Sequence, residues 1–224
     1  MDISQEARFM AMLKLQSELN SLINPEWLKA GYPYLRAAFV EAGEALDHYG
    51  WKWWKSQSPN IVQLQIELID ILHFYLSDVL VESNGDYVTS ISNIERELNE
   101  SQINFDSAVF VFKDLDVLGL IELIGGLAVV KRRSFGLLEE LMRRCDLAWE
   151  VAYAQYISKN ILNIFRQRNG YKQGTYVKVW EGLEDNVWLE RFLDTLDLES
   201  ASFSEDLMSE LTAKYLGVLK GASS

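Results

Sequence analysis

The chain has 224 residues, of which 49% are hydrophobic, which supplies material for a large core and excludes a disordered polymer. A formal net charge of −12 argues against a surface built to bind nucleic acid, and the longest apolar stretches are broken by charges, which argues against a membrane span. The single cysteine, Cys145, excludes an internal disulfide framework and fits a reducing compartment.

The opening "MDISQEARFMAMLKLQ" starts acidic and builds no secretory apolar region, so the expected location is the cytoplasm. Met12, Leu15, Leu19, Leu22 and Ile23 mark the apolar stripe of a first helix that stops near Pro25. Leu35, Ala38, Phe39, Ala42, Ala45 and Leu46 repeat the pattern in a second helix ending at Gly50. A third runs from about Ile61 to Val81 and is apolar on nearly every side, the signature of a helix at the centre of a bundle.

The polar segment 82–106 reads as a loop or an excursion, with mobility expected around 82–105. Helices are expected to resume from Ser107 through Lys131 and from Ser134 through Asn169, where "NG" stops them. "YKQGTYVKVWEGLEDN" reads as an ordered loop, followed by helices over Val187–Leu196 and near Ser204–Leu219. The expected architecture is a single all-α domain over 1–224, a helical bundle.

Residues three apart on a helix lie about 60° apart around its axis, so Glu41 and Glu44 project together, as do Glu67 and Asp70. On the third helix Gln63, Glu67, Asp70 and Ser77 form a narrow polar stripe through an apolar cylinder. Burying uncompensated carboxylates costs several kcal/mol, and no lysine or arginine occurs between Lys55 and Arg96. Compensation must come from elsewhere in the fold or from metal. Four carboxylates on two helices suit hard cations, Mg2+ or Mn2+, rather than zinc. A solvated helix face is the plain alternative for Glu41 and Glu44. Cys145 reads as a buried inert thiol and His48 as structural; His73, at the edge of the polar stripe, is structural or supports the ligands.

"EAGEALD", "WKWWK" and "ELIDILHF" together resemble the dimeric all-α dUTPases, relatives of the MazG-type pyrophosphohydrolases. The ExxE…ExxD pattern of that family matches Glu41/Glu44 and Glu67/Asp70, with 22 residues between the pairs. "MLKLQSELN" and "KNILNIFRQRNGYKQGTYVKVWEGLEDN" extend the likeness from about residue 10 to 190. The resemblance implies a four-helix catalytic core, a homodimer, and hydrolysis of dUTP, and of dUDP, to dUMP. It also implies Glu41, Glu44, Glu67 and Asp70 as ligands for two or three Mg2+ ions, with Glu41 or Glu44 acting on the attacking water.

Further roles follow from matching positions. Arg166, Arg168, Lys172 and Lys178 surround the glycine-rich turn "NGYKQGTY", either as a solvated basic loop or, with Asn163, Tyr176 and Asn186, as a phosphate-binding segment. Gln16 and Asn20 match the segment expected to read the uracil edge, with ordinary surface amides as the plain alternative. Trp54 is the candidate wall for the base, with Lys52 or Lys55 near the phosphates and the remaining tryptophans packed. Two other readings keep part of this pattern: a house-cleaning pyrophosphohydrolase for another nucleotide, and a non-catalytic helical dimer.

Overall fold

In the computed structural model, which describes residues 1, 3–197, 200 and 202–221, the first helix, α1 (Ile3–Ile23), ends just before Pro25, whose ring cannot continue the hydrogen-bond ladder. Its buried face overlaps the expected one only in part. Phe9, Met12, Leu13, Gln16, Leu19 and Asn20 are buried, while Leu22 is exposed, so the two amides lie on the inner side of the helix.

Helix α2 (Tyr34–Tyr49) buries Leu35, Ala38, Ala42 and Ala45 and stops at Gly50, which takes a left-handed conformation at φ 90°. Its inner face is mostly alanine, so helix α3 (Ile61–Glu82) can pack closely against it. The Asn60 side chain caps α3 by accepting from the Gln63 N–H, and the Asn60 N–H donates to the His48 carbonyl at 2.8 Å. The 51–59 loop is thereby closed at its base. Leu64, Leu68, Ile71, Leu72, Tyr75, Leu76, Val79 and Leu80 of α3 have no exposed surface, as expected of a central helix. At roughly 1.5–3 kcal/mol for each fully buried aliphatic side chain, this row can offset the cost of the carboxylates set into the same helix.

The polar segment after α3 differs from its expected loop. Asp86 caps a twelve-residue helix, α4 (Tyr87–Leu98), which buries Ile91 and Ile94 together with Ser90 and Glu97 and turns its other polar residues outward. Next comes an antiparallel hairpin, β1 (Gln102–Phe105) and β2 (Ala108–Val111). The helix expected from Ser107 does not start there, because Asp106 and Ser107 both sit at positive φ and turn the chain back in a hairpin. Helix α5 (Val117–Val129) begins only after Asp116, which caps it.

Ser134 caps α6 (Phe135–Arg144). A Cβ on Gly136 would stand 2.5 Å from the Glu100 carbonyl, so only glycine permits this approach of α6 to the end of α4. Residues 145–148 break the expected long helix before α7 (Trp149–Arg168). The late loop holds a two-residue hairpin, β3 (Val179–Trp180) and β4 (Leu183–Glu184), and leads into α8 (Asp185–Leu193) and α9 (Phe203–Gly221).

The molecule is mostly helical, an all-α fold with two small hairpins among the described residues. It divides into two compact units: Met1–Ser17 with Glu26–Tyr153, and Glu18–Pro25 with Ala154–Ser224. Among the described residues no helix is long and apolar enough to cross a membrane. Cys145 is buried as expected, its thiol pushed up to about 12 by burial and by the Asp146 charge.

Candidate active site

The ExxE and ExxD motifs meet in the first unit, where α2 lies on α3. One ligand atom each from Glu41, Glu67 and Asp70 lies within 4.8 Å of the others. Glu67 is buried, whereas Glu41 and Asp70 are half-buried. Glu44, one turn further along α2, is exposed and falls outside this trio. Its charge is still felt. Burial pushes Glu41 up to about 7, with the charges of Asp70, Glu44 and Glu67 and a side-chain hydrogen bond to Glu67 adding to the shift. Two carboxyl groups can hydrogen-bond only when one of them carries a proton, so the cluster without a cation retains protons near neutrality.

His48 lies on the same face of α2 as the motif, and its Nε2 stands 3.3 Å from Glu67 Oε1. His73 on α3 takes a different partner: its Nδ1 is 2.9 Å from Gln16 Oε1. Gln16 and Asn20 are 4% and 5% exposed, so neither is an ordinary surface amide.

The tryptophan loop departs from expectation. Trp51, Trp53 and Trp54 are all exposed, and Trp54 packs edge-on to the other two instead of any of them entering the core. Lys52 Nζ donates to Asp47 Oδ1 at 2.6 Å, and Lys55 is exposed.

In the second unit, the late motif gathers around a residue that the sequence reading passed over. Asp185, fully buried in the first turn of α8, receives the Arg166 guanidinium on both oxygens at 2.8 Å and the Tyr176 hydroxyl at 2.8 Å. Arg166 also donates to Asn163 Oδ1 and Asn186 Oδ1, at 3.0 and 2.9 Å. The other cations stand apart from this network: Arg168 pairs with Glu18, Lys172 donates to the Ile23 carbonyl and Lys178 pairs with Glu184. Four of the seven expected phosphate-binding residues of this segment are thus joined, and three are not.

A family model described as dUTPase matches residues 8–171, more than half of the chain. The chain belongs to the dUTPase family. It is a dUTP diphosphatase, an enzyme that hydrolyses dUTP. The match spans α1–α7 and includes the four motif carboxylates together with Gln16, Asn20, Trp54, Asn163, Arg166 and Arg168. It also includes the polar segment 82–105, in which the sequence reading found no motif. Lys172, Tyr176, Lys178 and Asn186 lie beyond it. A search of curated proteins by sequence finds no match.

The sequence leads to His48 only as a structural residue and does not single out Asp185. His48 stands seven residues after Glu41, about 20° from it around the helix axis, and that spacing was the available signal. Asp185 is one acid among several in "WEGLEDN", and only its burial singles it out.

Proposed function

We propose that this dUTPase is Mg2+-dependent, accepts Mn2+ as a substitute, and acts on dUTP and dUDP alike to yield dUMP. Pyrophosphate leaves in the first case and phosphate in the second. The observation that carries the metal is the trio itself, three carboxylates within 4.8 Å with Glu41 pushed up to about 7 by burial and by its like-charged neighbours. Oxygen-only donors at this density fit a hard cation and offer nothing that favours zinc. Glu41, Glu67 and Asp70 would hold it, with Glu44 added from the edge. When bound, such a cation would neutralise negative charge building on the phosphoryl oxygens.

The chain's own part is to prepare water and to recognise the nucleotide. We assign to Glu41 the proton of the attacking water, because it is the ExxE carboxylate that the fold brings into the trio. The water oxygen bonds to phosphorus, the phosphoanhydride bond to the leaving phosphate breaks, and the proton passes to the carboxylate. Gln16 and Asn20 are our candidates for the uracil edge, and Trp54 for its face, with Lys52 or Lys55 near the phosphates. For the second unit we propose an anion-binding role, with Asn163, Arg166, Tyr176 and Asn186 as its organised set and Arg168, Lys172 and Lys178 as surrounding cations. A homodimer, which rests on the resemblance alone, and a cytoplasmic location, which the single cysteine fits, complete the reading.

The test is release of pyrophosphate or phosphate from a panel of nucleotides, with and without Mg2+ or Mn2+. Turnover of dUTP and dUDP only with metal, and strong preference over dCTP and dTTP, is the expected result. Equal kcat/KM on all common deoxynucleoside triphosphates would replace this reading with a broad pyrophosphohydrolase.

A further inference from the structure

Glu41, Glu44 and His48 share one face of α2, at intervals of three and four residues. The His48 side chain reaches across to α3, where its Nε2 lies 3.3 Å from Glu67 Oε1. Glu67 is the most buried member of the trio, and His48 is about two-thirds buried, 32% of its side chain exposed. The main chain at His48 is itself fixed. Its carbonyl accepts the Asn60 N–H at 2.8 Å, and the same Asn60 caps α3, so the end of α2 and the start of α3 are tied together beside this contact.

We infer that His48 is a positioning residue: it fixes the carboxylate of Glu67, and through it the geometry of the Glu41–Glu67–Asp70 cation site. A carboxylate on a flexible two-carbon stem has several orientations open to it. An imidazole held against one oxygen restricts the rotation of the group and so determines where the other oxygen points. A site with its ligands already oriented loses less freedom when the cation arrives, and loss of such an outer partner commonly weakens metal binding by 10–100-fold. The packing of α2 on α3 supplies the helix spacing, and His48 supplies the orientation within it. This inference rests on the Mg2+ reading above.

The experiment measures thermal stability against Mg2+ concentration, without nucleotide, for wild type, His48→Ala, His48→Gln and Asp70→Asn. Far-UV circular dichroism and the melting temperature in EDTA establish that each variant is folded. His48→Ala is expected to raise the half-maximal Mg2+ concentration by about tenfold or more, while His48→Gln, which keeps an N–H at similar reach, recovers part of the loss. In turnover, His48→Ala should be slow at low Mg2+ and approach wild type at saturating Mg2+, which a general packing defect would not do. A half-maximal concentration within twofold of wild type in His48→Ala, with Asp70→Asn losing its response, overturns the role of His48 and leaves the cation site standing. A wild type indifferent to Mg2+ overturns both.

Discussion

The two ends of α3 carry acidic groups handled in opposite ways. At its C-terminal end, Asp78 and Glu82 meet the Arg133 guanidinium, which also contacts Glu97 of α4 at 3.0 Å. Toward its N-terminal end, Glu67 and Asp70 face a third carboxylate, Glu41, and the basic group against Glu67 is a histidine rather than an arginine. Both ends hold a glutamate pushed up to about 7. For Glu97 burial does it against the pull of Arg133, whereas for Glu41 the surrounding carboxylates push the same way as burial. A permanent cation makes the first cluster part of the scaffold. The second keeps its charges in mutual repulsion, at a cost in stability, and that repulsion is what a divalent ion would relieve.

If that distinction holds, the largest effect of breaking either end is on the scaffold. Arg133→Ala leaves the buried Glu97 and the half-buried Asp78 without their guanidinium, a change that costs about 3–5 kcal/mol. At about 2–4 °C per kcal/mol for a chain of this size, melting should fall by roughly 10 °C. The Mg2+ response should survive. Loss of that response with little change in melting would reverse the assignments of the two clusters.

At the other end the effect moves from stability to turnover. Glu41→Gln removes a proton acceptor and one repelling charge, so kcat should fall roughly a hundredfold or more. Melting in EDTA near pH 8 should hold or rise. Near-normal turnover would transfer the base to another group.

How much of this contrast could be read from the sequence depends on the range of the interactions. ExxE and ExxD were legible because a helix of known pitch puts residues three apart on one side, and α3 is apolar enough to reveal two acids as misplaced. Helix α4 was hidden because its polar outer face dominates its composition, while Ile91 and Ile94 are too few to set a period by eye. The hairpin at 102–111 was hidden by its brevity and by a turn that needs positive φ at both Asp106 and Ser107. The burial of Gln16 depends on His73, 57 residues away, and the network at Asp185 on Arg166, 19 residues away. No local pattern announces such pairings. Trp54 is the converse: a cluster of aromatics reads as core, yet these rings lie outside it.

A smaller effect sharpens the comparison through pH. Glu41 is raised in the folded state from its ordinary value of 4.5 to about 7, so its neutral form contributes stability that is present in full below about 4.5 and lost as pH rises through 7. Without metal, melting should therefore decline across that window, and Glu97, shifted in the same direction, adds to the decline. Mg2+ competes with protons for the trio, so its stabilising effect should grow from pH 6 to pH 8. Glu41→Gln should flatten part of the metal-free slope, and an unchanged slope would show that Glu41 titrates normally.

The smallest expected change in stability is at the tryptophan loop. Trp54→Ala removes an exposed ring, so melting should shift by no more than about 0.5 kcal/mol equivalent. Affinity for a non-hydrolysable dUTP analogue should nonetheless weaken measurably. Unchanged affinity would remove Trp54 from the nucleotide site.

The most direct test of the central claim is a crystal structure of the enzyme grown with Mn2+, with the ion located by its anomalous scattering. The account predicts a peak at bonding distance from carboxylate oxygens of Glu41, Glu67 and Asp70 together. A well-ordered trio with no peak, or a fully occupied Mn2+ bound only at other residues, would contradict it.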